Sequence, residues 1–138
     1  MPDSVEVIRV LAFDFGLKTI GVATGQSITA TASPLASISA RNGKPDWSAV
    51  AELVAQWRIN QLIVGLPLNM DDSESDMSTA ARRFGAELKR RFGLDVQMVD
   101  ERLTSRATAE FTKGNHAASH GLAAVLIAES WLREITRR

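Results

Sequence analysis

The 138-residue chain has no cysteine, so neither disulfide bridges nor thiolate metal sites are open to it. It also has no net charge. Sixteen Lys and Arg balance sixteen Asp and Glu, and composition by itself therefore points to neither a nucleic acid nor a membrane surface. Long apolar runs are missing as well: the stretch from Val5 to Phe13 is interrupted by Glu6 and Arg9 and falls short of the roughly 20 residues a membrane span needs. No signal-peptide pattern is visible, and the expectation is a soluble cytoplasmic protein with no membrane partner. Internal repeats, low-complexity tracts and dividing linkers are likewise absent, and 45% hydrophobic residues suffice for one globular domain, 1–138, with a real core.

The balanced charge is unevenly distributed. Residues 1–81 hold five Lys/Arg against nine Asp/Glu, and residues 82–138 hold eleven against seven. Arg82, Arg83, Lys89, Arg90, Arg91, Arg102, Arg106 and Lys113 either form a basic face beside an acidic site or belong to separate solvated helix surfaces.

Periodicity divides the chain into strands and helices. Val7–Phe13, Thr19–Gly25 and a segment within Ile28–Ile38 read as three strands of an antiparallel meander, with Pro34 marking the third as an edge strand or ending it early. Asp46 can cap a helix with Val50, Leu53, Val54 and Trp57 on one face, which places Trp57 in the core. Gln61–Gly65 is a short, nearly all-apolar strand, as expected of one buried on both sides. A helix from Ser75 to Phe92, stopped by Gly93, leads to a strand at Asp95–Val99. A helical stretch, Thr104–Thr112, follows. Lys113–Ser119 reads as a break that leaves His116 in a loop, and a final helix runs from about His120 to Ile135. This last helix is apolar over more than one face, so it packs either beneath its neighbour as a monomer or against a second copy in a homodimer. The order gives an α/β fold with one mixed sheet, antiparallel first and then built from parallel crossovers.

Carboxylates stand at three strand ends: Asp14, Asp71-Asp72 and Asp100-Glu101. Asp71 and Asp72 read as turn residues. Asp14 is different, because it ends the apolar run Val10–Phe13, where a charge needs hydrogen bonds, a cation or a metal. Carboxylates converging from separate strands can bind Mg²⁺, which takes oxygen ligands. Asp14-Phe15-Gly16 spells a kinase metal triplet, but the chain lacks the other kinase motifs, and Gly114 and Gly121 build no phosphate loop.

Four blocks carry a resemblance: Phe13–Ala23, Ile63–Asn69, Asp100–Ser105 and Leu122–Ile127. In order and spacing they resemble the YqgF (RuvX) family, small RuvC-like proteins of ribonuclease H-like fold described as Holliday junction resolvases and as pre-16S ribosomal RNA nucleases. The resemblance implies a five-stranded mixed sheet flanked by helices and divalent-metal-dependent phosphodiester hydrolysis. By position Asp14 matches the family's first-strand acid and Glu101 the acid of its DERLT block. Lys18, Thr19 and Arg102 match polar positions of those blocks, where they either contact phosphate, hold the acids or make structural pairs, and Arg106 joins them as a phosphate-positioning candidate. The implied substrate is the 5′ end of the small-subunit rRNA precursor. Competing readings are branched DNA, a non-catalytic RNA- or ribosome-binding module, and a sugar-kinase-like ATPase, which would need two such domains.

One position departs from the family pattern. Where members carry Asp before the Leu-Ala-Ala stretch, this chain has His120. As the third ligand beside Asp14 and Glu101, imidazole suits Mn²⁺ better than Mg²⁺. Read otherwise, His120 only begins a helix capped by Ser119. If it is a ligand, His120→Ala shifts the ratio of Mn²⁺- to Mg²⁺-supported cleavage; unchanged activity with both metals removes it from the site.

Overall fold

The computed structural model describes residues 6–71, 73–101 and 116–137, with the backbone alone for 116–120. The elements are β1 (Arg9–Asp14), β2 (Thr19–Gln26), β3 (Thr31–Arg41), β4 (Lys44–Pro45), α1 (Trp47–Gln56), β5 (Gln61–Leu66), α2 (Asp76–Phe92), β6 (Val96–Asp100) and α3 (His116–Thr136). The sheet order is β4-β3-β2-β1-β5-β6. β1, β2 and β3 pair antiparallel, while β5 lies parallel to both β1 and β6. The expected mixed sheet is present and carries one strand more than the five anticipated, the two-residue β4. The Thr104–Thr112 helix lies outside the described residues. Among the described residues no helix is long and apolar enough to cross a membrane.

β1 is the centre of the molecule. Val10, Leu11, Ala12 and Phe13 are all fully buried, because alternate side chains face opposite layers. Leu11 and Phe13 join Ile20, Val22, Leu62, Val64, Phe84 and Leu88 beneath α1 and α2. Val10 and Ala12 join Ile63, Ile127, Ala128 and Leu132 beneath α3. Asp14 continues this alternation at the carboxyl end of β1, on the α3 side.

Caps fix the helix boundaries. Asp46 accepts from the Ser48 amide at 3.1 Å to start α1. Ser75 and Ser78 form a reciprocal capping box on α2, and the buried Ser78 hydroxyl also donates to the Pro67 carbonyl. Gly93 ends α2 in the left-handed region, φ 65°. Pro34 sits on β3 opposite Ala23, beyond the reach of β4, which pairs only with Ala40 and Arg41; the prolyl nitrogen thus removes no ladder bond from a central strand.

Three expectations need correction. Trp57 is not core: α1 ends at Gln56, Trp57 is the C-cap, and its side chain is 38% exposed. The third strand is not ended by Pro34: it starts at Thr31, after a turn in which the Gln26 carboxamide accepts from the Ile28 and Thr29 amides, and runs past Ile38 to Arg41. The last helix begins at His116 rather than near His120, so the backbone at His116 and Ser119 is already helical and the break ends sooner. That helix buries Ala124, Ile127, Ala128 and Leu132 completely against the sheet, while Leu122, Leu126, Trp131 and Ile135 are partly buried.

Phe84 joins both ends of the α1/α2 layer, with ring centroids 5.2 Å from Phe13 and Phe15 and 5.8 Å from Trp47. Phe84→Ala is expected to cost about 3–5 kcal/mol, read from chemical denaturation at constant m-value.

Candidate active site

Asp14, the last residue of β1, and Glu101, the first residue after β6, meet across the end of β5. The alternation that puts Val99 in the α3 layer and Met98 in the other also puts Glu101 on the α3 side, together with Asp14. The Glu101 amide donates to the Leu66 carbonyl at 3.0 Å, extending the β5–β6 ladder by one bond and fixing the backbone from which the carboxylate projects.

The two carboxyl groups share a hydrogen bond. Burial pushes Asp14 above its usual 3.8, and the Glu101 hydrogen bond opposes part of that rise. Two carboxyl groups in such contact need either a shared proton or a cation between them. The donor set is all oxygen, which suits a hard divalent cation. Among the described residues no third His, Asp or Glu completes a metal cluster.

Gly65, between the two acids on β5, makes their meeting possible. A Cβ there would stand 3.2 Å from Glu101 Oε1 and 2.5 Å from Ile127 Cδ1. Its missing side chain admits both the carboxylate and α3. Gly16 has a comparable role in the β1–β2 turn, where a Cβ would lie 2.3 Å from the Thr19 carbonyl oxygen. In sequence, Gly65 reads as the end of an apolar strand and as part of the Ile63–Asn69 block, with nothing to show that it faces a carboxylate.

The remaining predicted site residues are distributed as follows. Lys18 is exposed in the β1–β2 turn, its carbonyl accepting from the Ala40 amide at 2.8 Å, and its ammonium makes no ion pair among the described residues. It does not neutralise Asp14. Thr19 opens β2 opposite Ser39. His120 lies in α3 seven residues before Ile127, which is about two helical turns, so the helix carries it on the stripe that meets Gly65. Its side chain lies outside the described residues, as do Arg102 and Arg106 altogether. Asp71 is a turn residue, accepting from the Ser73 amide at 3.1 Å and hydroxyl at 2.5 Å; Asp72 lies outside the described residues. On α2 the expected basic face is partly neutralised. Arg82 pairs with Glu74 at 2.8 Å, and Glu87 holds both Arg90 and Arg91.

Comparison with known proteins agrees with this fold. Residues 8–134 match the family model described as "RuvX: Holliday junction resolvase". A Marinobacter nauticus protein named "Putative pre-16S rRNA nuclease" is 50% identical, covering 91% of this chain and 93% of its own. One from Nitrosococcus oceani with the same name is 47% identical over 91% and 86%. In fold the chain is similar to Thermus thermophilus RuvC bound to a Holliday junction substrate, with TM-score 0.61, 14% identity and 94% and 97% of the two chains covered. It is also similar to the Fowlpox virus resolvase bound to junction DNA, with TM-score 0.55, 13% identity and 93% and 99% covered.

Gly65→Ala tests the fit of the pair. Ile127 Cδ1 is the far end of a flexible side chain and can turn aside, whereas the Glu101 carboxylate must shift by a few tenths of an ångström. The variant is expected to fold with at most about 1–3 kcal/mol lost and to lose more than tenfold in nuclease activity, measured together by denaturation and RNA cleavage.

Proposed function

The chain belongs to the RuvX family, and on that footing we propose that it is a divalent-metal-dependent nuclease that trims the 5′ end of the precursor of 16S ribosomal RNA in the cytoplasm. The observation that carries this reading is the hydrogen-bonded Asp14–Glu101 pair at the carboxyl edge of a parallel strand pair, with Gly65 making room between them. The relatives' names support the substrate.

In this reading Asp14 and Glu101 would hold one or two Mg²⁺ or Mn²⁺ ions, with His120 of α3 as their third ligand. A bound divalent cation supplies a water nucleophile at neutral pH and neutralises charge building on the phosphate. The chain's own residues do the rest. With both carboxyls ionised, the half-buried pair attracts a cation strongly; with one protonated, it does not. Lys18, exposed in the turn that follows Asp14, meets a phosphate oxygen on the incoming strand, and Arg102 and Arg106 hold flanking phosphates without reading bases. Branched DNA is the second reading, favoured by the description of the matching family model. It requires two sites in a symmetric dimer, so sedimentation and a side-by-side cleavage assay on a four-way junction and precursor RNA separate the two.

Asp14→Asn is expected to lower cleavage by more than about 100-fold. The sign of its effect on stability follows from the raised pKa. A carboxyl that holds its proton more tightly when folded weakens the native state as pH rises from 3.8 through its folded value. The Asn variant therefore is as stable as the wild type or more stable at pH 7, and that margin closes as pH falls toward 3.8. Retained cleavage, or a variant that unfolds first at pH 7, contradicts the assignment.

A further inference from the structure

On the other face of the sheet from the carboxylates, a cavity of about 480 Å³ opens between the β3–β4 hairpin and α2. Phe15, the residue after Asp14, lines it, so the cavity begins where the site ends. Its wall is an aromatic stack. Phe84 lies against Trp47 with centroids 5.8 Å apart and planes at 23°, and the Arg91 guanidinium covers the indole at 4.3 Å. Glu87 accepts from Arg91 Nε at 2.7 Å and holds that guanidinium in place. Lys44 and Arg83 stand exposed on the rim, and neither has a partner among the described residues. The cavity thus offers a flat cationic platform inside and two uncompensated cations outside. The hairpin bearing Lys44 is docked on the Asp14 turn, with the Gly43 amide donating to the Leu17 carbonyl at 2.9 Å.

We propose that this cavity is a subsite for an unpaired nucleotide of the RNA strand that crosses the tip of β1, its base stacked on Arg91 and its phosphates met by Lys44 and Arg83. The inference rests on the nuclease reading above and adds to it a single-stranded segment beside the cut. Single-stranded RNA is recognised by splaying bases onto aromatic rings or guanidinium planes, with cations following the backbone. A base held in a duplex cannot enter such a cavity. The apolar wall and the positive rim together fit this occupant better than a free anion, which needs no stack, or an apolar peptide, which needs no cations.

The test uses the non-cleaving Asp14→Asn protein and a labelled unstructured RNA oligonucleotide, single-stranded or annealed to its complement, titrated by fluorescence anisotropy between 50 and 200 mM salt, a range of about that used for counterion-release slopes. Adding Lys44→Gln and Arg83→Gln lowers the log–log salt slope for the single strand by about 1.4, two contacts at about 0.7 each. Arg91→Lys, which keeps the charge and loses the plane, weakens single-strand binding about tenfold, as Arg91→Ala does, and leaves the duplex unaffected. Single-stranded RNA quenches tryptophan emission in the Asp14→Asn protein, and Trp47→Phe removes that quenching. An unchanged slope, recovery in Arg91→Lys, or the absence of quenching overturns the subsite. Failure of the wild type to cleave any RNA, with these binding results intact, overturns the nuclease reading instead.

Discussion

Two carboxyl groups placed together where water is partly excluded form the constraint around which this fold is arranged. Ionised carboxylates lose hydration on burial and repel each other, and the interior strengthens that repulsion rather than screening it. Burial pushes the Asp14 carboxyl above its usual pKa for this reason. Such an arrangement persists only when the surrounding structure is stable enough to carry it. Here the surroundings are the fully buried run Val10–Phe13 on the central strand, with packed layers on both faces.

Pleating decides which groups meet. A period of two puts Leu11 and Phe13 under α1 and α2, and leaves Asp14 on the side of α3. The same rule on β6 sends Glu101 to that side. A Cβ on β5 at Gly65 would press on the Glu101 carboxylate at 3.2 Å, and glycine leaves that space open. α3 then closes the layer through Ile127, which follows His120 by about two helical turns. Fold and site are therefore one arrangement: a register slip of one residue on β1 would turn Asp14 into the opposite layer.

Much of this was legible in the chain. Asp14 stood out because four apolar residues precede it, and β5 read as buried on both sides because its residues do not alternate. α2 was bounded correctly by Ser75 and Gly93, whose chemistry at helix ends is specific. Other features were hidden for physical reasons. Gly65 looks like filler until the neighbouring strands are in place. Trp57 fits a helical stripe at i+7, but the helix stops one residue earlier, with Arg58 in the left-handed region at φ 50°. β4 is only two residues long, although Asn42-Gly43, with φ 52° and 80°, is a strong hairpin signal that could have revealed it. The start of α3 was obscured because His116, Ser119, His120 and Gly121 carry no apolar helical period to mark it. Lys44 lies on β4 and Arg83 and Arg91 on α2, and only the fold brings these two segments around one cavity.

The account depends most directly on Asp14 and Glu101 behaving as one ionising unit that a cation can occupy. Carboxyl ¹³C shifts of both residues, followed against pH with and without Mg²⁺, measure this without reference to any substrate. Two coupled steps are expected, the upper one above the usual carboxylate range and drawn downward by Mg²⁺. Two independent titrations at ordinary values, unmoved by Mg²⁺ or Mn²⁺, would contradict it.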